Sequence, residues 1–183
     1  MRISLPAALV ALLIIVAAFR ANACDVPKPP TFKESLVGAK SVFVFRLDEA
    51  RYKRKALGAS AYSSWVEGEI TPVQNLFGNA SRFRRIKFTT MWCGAVNLVV
   101  GHHYLIATNA SSDTIELVSS DASLYDIEGF YDPMEKKRSL RSIFILPVIQ
   151  AIYGGKPLPD NFPPRDIAER TVLQPPPPPP KAR

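Results

Sequence analysis

Apolar positions along this chain follow one pattern after another, and each pattern predicts an element. Residues 5–19 form an almost unbroken apolar run, behind Arg2 and ahead of Ala21-Asn22-Ala23. A positive start, a short apolar stretch and a small-x-small site predict a secretory signal over residues 1–23, cut before Cys24. The run is short for a membrane span, which takes about 20 residues. Pro27, Pro29 and Pro30 then hold the chain extended. Thr31 and Glu34 have capping-box spacing and predict a short helix over residues 32–37, ended by Gly38.

The period then changes to strand. Residues 41–46 are rich in β-branched and aromatic side chains, and the strand can continue into the charged residues 48–55. A turn over residues 58–60 leads to a long strand over 61–73, with Val66, Gly68 and Ile70 on one face. Gly68 inside it suggests a bulge or a sharp bend. A turn around Gly78 follows. Residues 84–91 alternate again, with Ile86 and Phe88 inward and Arg85 and Lys87 outward. Residues 104–108 and 114–118 complete the set, joined by a polar turn. Short strands at this spacing predict a small barrel or sandwich, and long bent strands with glycine in mid-strand favour a closed barrel.

Beyond residue 130 the pattern turns helical. Asp132-Pro133-Met134-Glu135 has the chemistry of a helix start: an acidic N-cap, proline at the first position and glutamate at the third. The helix is expected to run to about residue 153 and stop at Gly154-Gly155, with a kink near Pro147. From Lys156 proline dominates, and residues 175–180 are all proline. Such a tail has no means of building a core and is expected to be disordered or polyproline II. The predicted organisation is a signal over 1–23, a β-domain over 24–130, a helical segment over 131–155 and a proline-rich tail over 156–183.

Charge and cysteine content narrow the setting. The whole chain carries a formal +7. Losing Arg2 and Arg20 with the signal leaves it modestly basic, which favours anionic surfaces. Cys24 and Cys93 are the only cysteines. Thiols beyond the cytoplasm tend to pair, whereas lipoprotein processing would place a lipid on Cys24. Two thiols are too few for a structural zinc site, and neither a metal nor a cofactor is expected.

Residues 66–78, then 86–89, then Cys93-Gly94, then Val100-Gly101-His102-His103-Tyr104-Leu105-Ile106 resemble the netrin-like, tissue-inhibitor-of-metalloproteinases-like domain, in its exported bacterial form. The resemblance covers residues 24–117. It implies a mainly β fold: a five-stranded OB-type barrel, with a short N-terminal helix and the C-terminal helix kinked near Pro147 packed on it. It also implies a mature chain beginning at Cys24 and a Cys24–Cys93 disulfide. Closing that loop would stabilise the fold by about 4 kcal/mol on a chain-entropy model. The family's inhibitors chelate a protease zinc through the amine and carbonyl of the leading cysteine. That implies Cys24 and Asp25 as zinc and pocket contacts here. This chain departs from the inhibitor pattern at Asp25 and Val26, and a carboxylate entering an apolar specificity pocket would be penalised by desolvation. The preferred reading is therefore an exported, periplasmic or secreted, binding or structural module with an unknown protein or envelope partner. Metalloprotease inhibition is the alternative.

The remaining chemistry is sparse. His102 and His103 are adjacent, so in a strand they point to opposite faces and cannot share a metal or a proton relay. The chain is accordingly read as non-enzymatic. Arg82, Arg84, Arg85 and Lys87 interleave with Phe83 and Phe88 in a composition suited to single-stranded nucleic acid, but export disfavours that partner. Arg51, Lys53, Arg54 and Lys55, with Arg85 and Lys87, are candidate contacts for an anionic lipid or glycan surface. A lipid on Cys24 is the other route to a membrane. Oligomeric state is not encoded in any pattern here.

Overall fold

The computed structural model describes residues 30–58, 61–90, 95–117, 123–135 and 142–163. The signal, Cys24, Asp25, Cys93 and the tail beyond residue 163 lie outside the described residues. The chain enters through a short helix, α1 (Phe32–Val37). The expected capping box is present: the Glu34 amide donates to Thr31 Oγ1 at 3.3 Å, and the Thr31 amide donates to the Glu34 carboxylate at 2.6 Å. Phe32 is the buried residue of this helix and anchors it.

Six strands follow: β1 (Ser41–Ala56), β2 (Tyr62–Phe77), β3 (Arg85–Phe88), β4 (His103–Thr108), β5 (Thr114–Glu116) and β6 (Leu124–Asp126). They form one mixed sheet in the order β5-β3-β2-β1-β4-β6. β3 and β5 run parallel, and every other neighbouring pair is antiparallel. The protein is mainly β, but the sheet is not closed into the five-stranded barrel that the sequence suggests. The reason is β6, which the alternation did not reveal. It pairs with β4 through Tyr104↔Asp126, Leu105↔Tyr125 and Ile106↔Leu124, on the edge that closure would require.

β1 is buried on both faces over its first half, because two cores meet there. Phe43, Phe45 and Leu47 face a core shared with Ile70, Ile86, Phe88, Tyr104, Ile106 and Ile115. Val42 and Val44 face a second core with Phe32, Leu105, Ile127, Phe144, Ile145 and Val148. The helices are held by this second core. Gly68 sits where β1 and β3 approach β2 closely. A Cβ there would lie 2.7 Å from Leu47 Cδ1, 2.9 Å from Ile86 Cγ2 and 3.0 Å from the Glu49 carbonyl oxygen.

Several boundaries differ from expectation; β3 and β5 end early, at Phe88 and Glu116. β2 runs past Pro72 to Phe77. The Ile70 amide donates toward the β3 side, to the Arg84 carbonyl at 2.9 Å. The Pro72 nitrogen, two residues on, faces the same side beyond the end of β3, where no ladder bond is lost. The C-terminal helix is shorter than expected: α2 spans Ile145–Tyr153. Asp132 does accept from the Met134 and Glu135 amides at 2.8 and 3.3 Å, yet residues 133–135 are not helical. The Ile145 amide donates to Ser142 Oγ at 3.1 Å instead. Pro147 thus falls in the first turn of α2, where a missing N–H has no partner to lose, so it does not act as a kink in the middle of a longer helix. The chain beyond α2 stays on the fold: Leu158 is buried in the second core, and the Phe162 ring lies 5.6 Å from those of Phe32 and Tyr125.

Candidate functional site: a basic hairpin arm

β1 and β2 are longer than the strands beside them. β4 pairs with β1 only over residues 41–46, and β3 pairs with β2 only over residues 66–69. From Glu49 outward β1 pairs with β2 only, and from Lys53↔Trp65 the two strands continue alone, still in register to Ala56↔Tyr62. The result is a two-stranded arm whose residues 51–57 are all exposed. Strand alternation divides its side chains. Arg51, Lys53 and Lys55 lie on one face, opposite Glu67, Trp65 and Ser63. Tyr52 and Arg54 lie on the other, opposite Val66 and Ser64, with Ala56 opposite Tyr62.

This geometry splits the cations that the sequence groups together. Arg51 is paired with Glu49, whose carboxylate accepts from Arg51 Nη2 at 2.7 Å. Hydrogen bonding to Arg51 holds the Glu49 pKa below its ordinary value, against the opposing effect of desolvation. Arg85 and Lys87 share the face of Arg51, as their outward alternation predicts, but they are neutralised from β5. Arg85 donates to Asp113 at 2.9 Å, and Lys87 lies 3.3 Å from Glu116. Hydrogen bonds from Thr114 and then Arg85 keep the Asp113 pKa low. Trp65 donates to Glu67 at 2.8 Å, and the Lys87 ammonium sits 5.6 Å from its ring centroid. Arg54, on the opposite face, lies over the Tyr62 ring at 3.6 Å.

Lys53 and Lys55 have no acidic partner among the described residues, and the residues facing them are Trp65 and Ser63. No acidic residue occurs in the sequence between Arg51 and Val66. Uncompensated charge is therefore concentrated in Lys53, Arg54 and Lys55. The sequence did not signal the apolar company they keep: Leu57, Tyr52 and Tyr62 are 65%, 56% and 53% exposed around them.

The other candidate groups are committed elsewhere. Phe83 and Phe88 are buried in the first core, so they offer no stacking surface to a base. Arg82 donates to the Ala110 carbonyl, and Arg84 to that of Phe83 at 3.1 Å. His102 Nδ1 meets Asp126 Oδ2 at 2.8 Å, and His103 Nδ1 meets Glu128 Oε2 at 2.8 Å. The His103 amide also donates to Glu128 at 2.9 Å. Burial opposes ionisation of Glu128, but the His103 hydrogen bonds and the histidine charges outweigh it and lower the pKa. The adjacent histidines thus take separate carboxylates, and together they fasten the entry of β4 to the end of β6 and the turn after it. Asp126 and Glu128 were not singled out in the sequence because nothing local ties them to residues so far upstream. Among the described residues no group of three or more His, Cys, Asp or Glu is placed to hold a metal ion, and no helix is long and apolar enough to cross a membrane. No protein-family model matches this chain, and no curated protein matches it.

Proposed function

We propose that this chain is an exported, non-enzymatic binding module of netrin-like type that docks on an anionic surface through the β1–β2 arm. Removal of residues 1–23 and a Cys24–Cys93 disulfide belong to this reading. The strand order supports an OB-type topology in a partly open form: β1, β2, β3, β4 and β5 all contribute to the first core, although β6 occupies the β4 edge. The observation that carries the docking role is the isolation of Lys53, Arg54 and Lys55 on a projecting ribbon without acidic partners, while Arg51, Arg85 and Lys87 are each paired.

Cations near an anionic surface contribute about 1 kcal/mol each. Lys53→Ala/Lys55→Ala is therefore expected to weaken binding to dextran sulfate by about 2 kcal/mol, or about thirtyfold, with a shallower salt dependence. Arg85→Ala should change it far less, because Asp113 already cancels that charge. Titration by anisotropy at several salt concentrations tests this. Equal losses for the two variants would refute the assignment to the arm.

A further inference from the structure

We propose that the partner of the arm is an anionic lipid bilayer, with Leu57, Tyr52 and Tyr62 seated at headgroup depth and Lys53, Arg54 and Lys55 on the phosphates. This rests on the docking role proposed above and names its ligand. The argument starts from composition at the end of the ribbon. Leu57 is 65% exposed and lies two residues after the last of four cations spread over five positions. A purely ionic contact gains nothing from an uncovered leucine flanked by exposed tyrosines. An interface between water and hydrocarbon gains from both parts: amphipathic rings settle at headgroup level, and long cationic side chains reach back to the phosphates.

Alternation makes the arrangement two-sided. Tyr52, Arg54 and Tyr62 occupy one face, while Lys53, Lys55 and Trp65 occupy the other. The ribbon can therefore enter end-on with cations on both flanks. Arg54 is held over the Tyr62 ring at 3.6 Å, so a charge and an aromatic surface arrive together.

The backbone sets the depth. Within the ribbon the strands pair with each other, but no third strand among the described residues pairs β1 beyond Leu47 or β2 below Val66. Those outer edges need water, so the arm stops in the hydrated headgroup zone and does not cross the hydrocarbon. Charge alone or one small apolar anchor alone gives marginal attachment, and two weak signals together give stable docking.

The test uses the full chain in flotation assays, with phosphatidylcholine vesicles and with mixed phosphatidylcholine–phosphatidylglycerol vesicles. Dextran sulfate binding is measured in parallel. The wild type is expected to float with the mixed vesicles and not with phosphatidylcholine alone. Leu57→Ser/Tyr52→Ser keeps every cation and changes only exposed side chains. It should lower vesicle affinity by at least about tenfold while leaving dextran sulfate affinity unchanged, since burial of one leucine side chain alone accounts for that factor. Lys53→Ala/Lys55→Ala should lower both. Two outcomes overturn the lipid assignment and leave the docking role standing: dextran sulfate binding without vesicle flotation, and flotation that Leu57→Ser/Tyr52→Ser does not change. Binding to neither probe overturns the docking role itself.

Discussion

Replacing Gly68 by alanine isolates the packing that sets the base of the arm. The added Cβ would meet Leu47 Cδ1 at 2.7 Å, Ile86 Cγ2 at 2.9 Å and the Glu49 carbonyl oxygen at 3.0 Å. Both side chains are fully buried, so they can retreat only by displacing other core groups. The carbonyl belongs to the ladder opposite, beside the register shift between Leu47 and Glu49. Overpacking of this kind costs about 1–3 kcal/mol. Against it stands a gain of about 0.4–1 kcal/mol from restricting the unfolded chain. The net expectation is a loss of about 1–2 kcal/mol, or a fall in Tm of a few degrees for a chain of this length. Urea denaturation followed by tryptophan fluorescence measures it, and an unchanged m-value would show that the surface exposed on unfolding is the same as in the wild type. The double variant Gly68→Ala/Leu47→Ala carries the sharper test. Leu47→Ala alone should cost about 2–5 kcal/mol by opening a cavity. The new methyl would occupy part of that cavity, so the two losses should add to less than their sum by at least about 0.5 kcal/mol. Strict additivity, or a Gly68→Ala protein as stable as the wild type, would refute the close approach described here.

Other consequences are as direct. Thr31→Ala removes the N-cap of α1 and should cost about 1 kcal/mol in urea unfolding, with Thr31→Ser largely restoring it. The lowered pKa of Glu128 means that its pairing with His103 stabilises the fold above about pH 4 and is lost as pH falls through that lowered value. Glu128→Gln should therefore be less stable at neutral pH and show a flatter acid limb in a plot of Tm against pH. Phe144→Ala should cost about 3–5 kcal/mol, since Phe144 is buried between α2 and the sheet. Intact mass of protein from its native host should begin at Cys24 and fall short of the reduced form by two hydrogen atoms, whereas a lipid thioether on Cys24 would occupy its sulfur and rule the disulfide out.

What could be read from the sequence was what neighbours in the chain decide. The capping box at Thr31 and Glu34 is complete within four residues, so its expectation needed no knowledge of the fold. The same holds for the alternation that sends Ile86 and Phe88 inward and Arg85 outward. Asp132 shows the limit of such signals. Its capping bonds form, but they do not extend into a helix over residues 133–135. The helix that does form lies where Ile145 and Val148 can enter the second core. β6 is three residues long and exists by pairing with β4, so no local period marks it. For the arm, alternation alone separates Arg54 from Lys53 and Lys55. The neutralisation of Arg85 and Lys87 depends on Asp113 and Glu116, which reach them only through the parallel pairing of β5 with β3.

That parallel pairing also constrains the order of assembly. β1 and β2 are successive in the chain, so their ribbon joins near neighbours, and β3 can extend it from the adjacent segment. The chain must then travel to the far edge of β1 to lay down β4 before returning to place β5 against β3. Contacts that span long stretches of chain form late, because loop closure has to be met before they contribute. Ser41↔Thr108 spans far more of the chain than Arg85↔Thr114, so Tyr104 and Ile106, which β4 gives to the first core, are expected among the last side chains to leave water, after β1 and β2 have paired.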